Sequence, residues 1–144
     1  MEMERCFPRS VTALDAIVAF VAEFFEASGM RGADSSTVEL MIEEIFTNMV
    51  KYSLEGTRDV AIRLRRHGGA VEIRLTDFDV EPFDYSQAPA ADTQDLLAQR
   101  RSGGLGLHLV QRIADRISYE YVDRNSTVTI ETRLGGSHAR HPRE

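Results

Sequence analysis

A carboxylate and a carboxamide stand four residues apart in this 144-residue chain, at Glu44 and Asn48. The surrounding segment, 43–52, has the spacing of a helix, in which residues i and i+4 lie one above the other. The two side chains can therefore converge on one ligand, although the periodicity of the helix does not require them. Oxygen ligands suit Mg²⁺, and a carboxylate can also accept a proton. The pair predicts a site for a magnesium ion bound to a nucleotide.

A second candidate is Asp77, which ends an alternating apolar run that includes Ile73 and Leu75. Because side chains alternate between the two faces of a strand, Asp77 continues the buried face. A carboxylate placed there is costly unless a hydrogen-bond donor meets it. Taken alone, the segment also fits an aspartate that caps a turn or a helix.

The third candidate is a glycine-rich segment that opens a helix. Glycines at a helix start let backbone N–H groups point at an anion, and the helix dipole favours negative charge there. The segment lacks the ending of a Walker loop, and a long loop rather than a strand precedes it. It also fits a tight structural turn. Its residues are Gly103, Gly104, Leu105, Gly106 and Leu107.

Two helices precede the strand that ends at Asp77, and the second of them carries Glu44 and Asn48. Either Ser10 or Thr12 begins the first helix, which closes at Gly29. After a polar loop over 31–35, a capping box at Ser36 predicts the start of the second helix, which runs to about Tyr52. Glu44 and Asn48 lie about 100° around the axis from its apolar stripe. We therefore expect both at the rim of the core.

Alternating runs predict five strands: a short one over 3–8, two over 60–64 and 71–75 joined by a hairpin at 67–69, and two over 117–121 and 128–134. The order of elements predicts an α+β two-layer sandwich, with the helices on one face of a mixed, mostly antiparallel sheet. Residues 85–102 are the least regular stretch, and we interpret them as a lid. We expect one domain over 1–134 and a disordered tail over 135–144.

The composition excludes several classes of protein. A net charge of −6 argues against nucleic acid as the main partner, because phosphate binding needs a basic face. No apolar run approaches the roughly 20 residues that cross a bilayer, and the first residues are not a secretion signal. The single cysteine, Cys6, excludes an internal disulfide and fits a reducing cytoplasm. We expect Cys6 to be a small buried hydrophobe.

The three candidate motifs, in this order, resemble the N, G1 and G2 boxes of the GHKL ATP-binding fold, which gyrase, MutL and histidine kinases share. The sequences E-E-I-F-T-N-M-V-K-Y and G-G-L-G-L-H-L-V look most like those of the small bacterial anti-sigma factors that are serine kinases. The resemblance covers about residues 5–134.

The resemblance implies a role for each matching residue. Asn48 would bind the Mg²⁺ that bridges the phosphates of ATP, and Glu44 would be the general base for the acceptor serine. Lys51, the only lysine, would meet phosphate, and Asp77 would accept from the adenine amino group. Backbone N–H groups of the glycine-rich segment (Gly103, Gly104, Leu105, Gly106 and Leu107) would bind the phosphates.

One departure from the family pattern falls in the G1 box. The family reads D-x-G-x-P-F, whereas here Asp79 stands where the glycine belongs and one extra residue precedes Pro82 and Phe83. Either Asp77 keeps the adenine role with Asp79 at a positive φ, which aspartate tolerates, or Asp79 has taken the role over. We prefer Asp77, and we keep Asp79 and Phe83 among the nucleotide-binding candidates. The threonine expected near the last strand could be Ser126, Thr127 or Thr129.

The resemblance implies a cytoplasmic serine kinase of the partner-switching type, which would phosphorylate a STAS-domain anti-anti-sigma protein and bind a sigma factor or similar target. A homodimer is the expected assembly. The alternative is an anti-sigma module that binds nucleotide and sequesters partners without phosphate transfer. The catalytic domain of a histidine kinase is disfavoured, because no helical hairpin with an acceptor histidine precedes the motifs.

Overall fold

The computed structural model describes residues 1–30, 32–52, 56–82, 110 and 113–134. In this part of the chain, five strands form one sheet of order β1-β2-β3-β5-β4, and every neighbouring pair is antiparallel. Two helices pack on the sheet, so the predicted α+β class is confirmed. The strands are β1 (Glu2–Phe7), β2 (Val60–His67), β3 (Ala70–Asp77), β4 (Arg116–Val122) and β5 (Asn125–Arg133). The helices are α1 (Leu14–Ser28) and α2 (Gly32–Tyr52), and a 3-10 turn (Val11–Ala13) precedes α1.

The core lies between the two helices and one face of the sheet. From Val71 to Asp77, strand β3 alternates between buried and half-buried residues, as a sheet with one covered face requires. Burying one large apolar side chain stabilises the fold by about 1.5–3 kcal/mol, so this layer supplies the main driving force. Its largest fully buried members are Phe20, Phe24, Phe46, Ile17, Met41, Ile42, Ile45, Met49, Ile62, Leu64 and Ile73.

The two helix starts differ from each other in how well the sequence predicted them. Ser10, one of the two expected caps, accepts a hydrogen bond from the backbone N–H of Thr12 at 3.2 Å and begins the 3-10 turn. Helix α2 begins at Gly32, so its predicted start at Ser36 is wrong. Once a helix has begun, each added residue gains a hydrogen bond, and Asp34 in the first turn complements the helix dipole. The capping box at Ser36 is therefore overridden.

The second face of the sheet carries charged side chains around Glu72. The carboxylate of Glu72 lies 3.7 Å from Arg63, 3.3 Å from Arg65 and 3.9 Å from Arg74.

Cys6 is exposed, so the expectation of a buried cysteine is wrong. Cys6 precedes the buried Phe7 on an edge strand, and adjacent strand residues point to opposite faces.

Within the part of the chain that the structure describes, no helix has the length and apolarity to cross a membrane.

The β2–β3 hairpin offers a matched pair of glycines. A Cβ added at Gly68 or Gly69 would meet no atom within 4 Å, but Gly68 has φ +61°. Only Gly68 therefore needs the freedom of glycine, because an L side chain is strained in the left-handed region. We expect Gly68→Ala to be less stable than Gly69→Ala by about 1–2 kcal/mol in urea unfolding. Equal stability of the two variants would contradict this assignment.

Candidate functional site

Helix α2 places Glu44 and Asn48 together at the rim of the core, as the sequence predicts. Asn48 is 1% exposed, and its Nδ2 donates a hydrogen bond of 2.6 Å to the backbone oxygen of Glu44. This bond uses one N–H of the carboxamide and fixes its orientation. The Oδ1 atom of Asn48 and the Oε1 atom of Glu44 are both buried, and neither has a hydrogen-bond partner among the described residues. Two oxygen acceptors therefore remain one helical turn apart.

This arrangement fits Mg²⁺ bound through phosphates. Buried polar atoms are almost always hydrogen-bonded, so two orphaned oxygens indicate a ligand that supplies their partner. The described residues contain no group of three or more His, Cys, Asp or Glu side chains that could hold a metal. Mg²⁺ does not need such a group, because it is commonly held by one or two protein oxygens together with substrate phosphates and water. Asn48 Oδ1 is the protein ligand that best fits this chemistry.

The charges around Glu44 suit a proton acceptor. Burial raises the pKa of the Glu44 carboxyl, the neighbouring Glu43 raises it further, and Lys51 opposes the rise. Burial lowers the pKa of Lys51, whereas Glu44 raises it. A raised pKa makes Glu44 a stronger base than an exposed glutamate. Lys51 lies one turn past Asn48 and two turns past Glu44, with its Nζ 5.5 Å from the centre of the Tyr52 ring.

Asp77 has the inward orientation that its strand phase predicts, and its side chain is 0% exposed. Its partner is Arg9, which sequence reasoning missed. The guanidinium donates two parallel hydrogen bonds to the carboxylate, from Nη1 to Oδ1 at 2.6 Å and from Nη2 to Oδ2 at 2.9 Å. The two residues are 68 positions apart, so no local pattern links them. The signal that was available is the need of a buried carboxylate for a cationic donor.

Arg9 also connects Asp77 to the end of α2. Its Nη2 donates to the backbone oxygen of Met49 at 3.1 Å, and its Nη1 donates to that of Arg58 at 3.4 Å. Met49 belongs to the last four residues of α2, whose carbonyl groups have no partner within the helix. A guanidinium satisfies such a carbonyl and complements the negative end of the dipole. Because Met49 follows Asn48, this bond brings the α2 pair and Asp77 into one region.

The segment after β3 is held against the β4–β5 turn. Asp79 has φ 57°, so the structure has this aspartate at the positive φ for which the sequence analysis allowed. Its carboxylate accepts from Nε of Arg124 at 2.8 Å, and Glu81 accepts from Nη1 of the same arginine at 3.4 Å. The hydroxyl of Tyr121 donates to the backbone oxygen of Val80 at 2.6 Å. The exposed, paired Asp79 is a poorer candidate for the adenine role than Asp77.

The register of the sheet separates the three hydroxyl residues near the last strand. Ser126 lies directly opposite Asp77 on β5 and is 5% exposed, on the face that the helices cover. Thr127 lies on the other face, where its hydroxyl is 3.5 Å from that of Thr76. Thr129 shares the face of Thr127. Ser126 is therefore the hydroxyl that can act together with Asp77.

Several predicted features lie outside the described residues. They are the expected lid over 85–102, the tail over 135–144, and the nucleotide-binding candidates Phe83, Gly103, Gly104, Leu105, Gly106 and Leu107. The helix expected after the glycine-rich segment contributes Val110, which is helical and fully buried in the core.

Comparisons with known proteins agree with this geometry. The family described as the histidine kinase-like ATPase domain matches residues 7–132. A chain of the SiaB–SiaC complex from Pseudomonas aeruginosa has a TM-score of 0.62 and 18% identity, over 92% of this chain and 88% of that chain. The histidine kinase domain of the blue-light-activated histidine kinase EL346 from Erythrobacter litoralis has a TM-score of 0.51 and 17% identity, over 88% of this chain and 61% of that chain. No curated protein matches the sequence. At these identities the structural likeness shows the fold.

The two Asp–Arg pairs near the end of β3 give a prediction with an internal control. Asp77→Asn weakens a buried pair and leaves the charge of Arg9 uncompensated, so we expect a loss of roughly 3 kcal/mol in unfolding free energy. Asp79→Asn weakens an exposed pair, and asparagine tolerates the positive φ, so stability should stay close to that of the wild type. Urea unfolding of both variants tests this, and a similar loss in the two would refute it.

Proposed function

Since the chain belongs to the histidine kinase-like ATPase domain family, we propose that it binds ATP with Mg²⁺ and transfers the γ-phosphate to a serine of a protein partner. The observation that carries the proposal is a pair of buried oxygens on α2, Asn48 Oδ1 and Glu44 Oε1, which have no hydrogen-bond partner among the described residues. Asn48 Oδ1 would bind a metal ion that the phosphates also bind, and the Glu44 carboxylate would accept the proton of a hydroxyl group. We assign this activity to a domain over 1–134, followed by a tail over 135–144.

Glu44 performs the acid–base step. Its carboxylate takes the proton of the acceptor serine while the serine oxygen bonds to the γ-phosphorus of ATP. The bond from that phosphorus to the β–γ bridging oxygen breaks, and ADP leaves with the electron pair. The products are phosphoserine and ADP, and the proton remains on Glu44 until solvent removes it. Asn48, together with the phosphates, would hold the Mg²⁺, which when bound would supply positive charge to offset the negative charge of the phosphoryl group.

The other nucleotide contacts are assigned by resemblance together with position. Asp77, with Ser126 opposite it, is the candidate for the adenine amino group. Lys51, one turn beyond Asn48, is the candidate for a contact with phosphate. The N–H groups of the glycine-rich segment 103–107 would hold the remaining phosphate oxygens.

The proposed substrate is a STAS-domain anti-anti-sigma protein in the cytoplasm. Phosphoserine carries close to two negative charges, which would repel an acidic chain of net charge −6 and release the partner. Release of one partner would free this protein to bind a sigma factor or similar target. The fold occurs in a complex of two named proteins, SiaB and SiaC, which supports a protein rather than a nucleic acid as partner. A homodimer is the proposed assembly.

A second candidate function is an anti-sigma module that sequesters its partner without phosphate transfer. The observation that favours it is the engaged state of Asp77, whose carboxylate is already bound by Arg9. The aspartate at position 79, in place of the family glycine, points the same way. Phosphoserine formation in a mixture of this protein, partner, Mg²⁺ and ATP separates the two functions.

Asn48→Ala and Glu44→Gln test the kinase directly. We expect each to lower phosphate transfer by about 10²–10⁴-fold, because one removes the proposed metal ligand and the other the general base. The measurement is transfer of radiolabelled phosphate from ATP to a cognate STAS protein, with circular dichroism to verify folding. Glu43→Gln is the matched control, since it removes a neighbouring carboxylate on the same helix and should retain transfer. Full activity of Asn48→Ala would refute the assignment.

The pH dependence of transfer identifies the base. Glu44 acts when deprotonated, so kcat/KM should rise with pH through its raised pKa. Glu43→Gln removes a charge that raises this pKa, and the acid limb should move to lower pH. Lys51→Met removes a charge that lowers it, and the limb should move to higher pH. Limbs that shift in the same direction, or not at all, would exclude Glu44 as the group that titrates.

A further inference from the structure

We propose that Arg9 determines base specificity in this site, because it occupies the Asp77 carboxylate as an internal ligand. Adenine can bind Asp77 through its amino group only after the guanidinium has moved away. This inference rests on the proposed nucleotide site and adds to it a residue that lies far from the three sequence motifs. It makes recognition of the base, as distinct from recognition of the phosphates, conditional on Arg9.

The carboxylate of Asp77 is closed to an outside donor in this structure. Both of its oxygens accept from Arg9, at 2.6 and 2.9 Å, and its side chain is 0% exposed. Each carboxylate oxygen could accept a second hydrogen bond, but the side chain has no exposed surface through which an outside donor could approach. We therefore expect an adenine amino group to reach either oxygen only by displacing the guanidinium that contacts both. The exchange is unfavourable in itself, because a charge-assisted bidentate pair is replaced by a hydrogen bond from a neutral donor.

The position of the guanidinium is built by several parts of the chain. It donates to the backbone oxygens of Met49 and Arg58 as well as to Asp77, and the Arg9 side chain is 11% exposed. Gly56 lies against it, since a Cβ added there would be 2.5 Å from Cζ of Arg9. A side chain at position 56 would collide with the end of a flexible arginine. The absence of a side chain at Gly56 is thus part of what admits Arg9.

The consequence is a division within the site. The phosphate and metal side, at Glu44 and Asn48, has oxygens without hydrogen-bond partners among the described residues. The base side, at Asp77, is satisfied by Arg9. In the wild type, ATP should therefore gain little from its adenine amino group. ITP, which carries a carbonyl in place of that amino group, should bind with a comparable Kd.

Two variants release Asp77 in different ways. Gly56→Ala keeps both charges of the pair and displaces the guanidinium by contact with the new Cβ. Arg9→Met removes the guanidinium and retains an apolar chain of similar length. The matched control is Gly69→Ala, a glycine substitution with nothing within 4 Å of the new Cβ. Because Gly56→Ala preserves the charges, the test stands even if Arg9→Met does not fold.

Isothermal titration calorimetry of the full chain with Mg-ATP and with Mg-ITP measures the effect. We expect Gly56→Ala and folded Arg9→Met to bind ATP roughly tenfold more tightly than the wild type, the gain of one hydrogen bond to a charged acceptor. ITP should bind all variants alike, and Gly69→Ala should match the wild type with both nucleotides.

The proposal is overturned if Gly56→Ala leaves the ratio of the two Kd values at its wild-type value, or if it abolishes ATP binding. A wild type that already prefers ATP over ITP, with no change in the variants, makes Arg9 a structural residue only and leaves the kinase assignment intact. Conversely, variants that gain ATP selectivity but form no phosphoserine support the role of Arg9 and refute the kinase. The two failures are therefore distinguishable.

Discussion

The buried pair of Arg9 and Asp77 is the interaction on which the arrangement of the site depends. It joins the turn after β1, the last turn of α2 and the end of β3, which are far apart in the sequence. A buried carboxylate without its cation carries a large desolvation cost. Separation of these three places would leave Asp77 in that state, so the pair holds them together. The fold thereby fixes the position of Asp77 relative to the helix that carries Glu44 and Asn48.

The same pair explains why the two halves of the site have different character. On α2, the carboxamide of Asn48 is oriented by a hydrogen bond to the backbone oxygen of Glu44, and its Oδ1 has no partner among the residues that the structure describes. At β3, the acceptor atoms are used by the protein itself. Orphaned oxygens are costly and favour a ligand, whereas a satisfied carboxylate resists one. The proposed nucleotide site would therefore favour the phosphates and metal over the base.

Sequence periodicity was enough to predict the parts of the site that depend on one element at a time. The offset of Glu44 and Asn48 from the apolar stripe predicted the rim of the core, and the phase of β3 predicted an inward Asp77. The allowance for a positive φ at Asp79 also rested on a local rule, and φ 57° confirms it. The α+β class followed from the order of such elements.

What the sequence could not predict depends on distant or competing interactions. Arg9 lies 68 positions from Asp77, and its role appears only when the sheet register and the end of α2 are known. Helix α2 starts at Gly32, four residues before the capping box at Ser36, because helix propagation outweighs the local capping preference. Cys6 is exposed because its side chain points away from the face of β1 that buries Phe7, and the helices cover only that face.

A pair of side chains suited to phosphoryl transfer, Glu44 and Asn48, can share a site with an Asp77 carboxylate that Arg9 closes, because the two halves of the site have different roles. Phosphoryl transfer needs positioning and charge at the phosphates, and the base contributes through binding alone. A chain can therefore keep the catalytic pair on α2 while its own arginine sets the strength of adenine recognition. If the proposed kinase function holds, the Arg9–Asp77 pair limits recognition of the base and leaves phosphate transfer to the α2 pair. The proposal then assigns most of the affinity for the nucleotide to its phosphate end, and the end of α2, which Arg9 contacts at Met49, connects the two halves of the site.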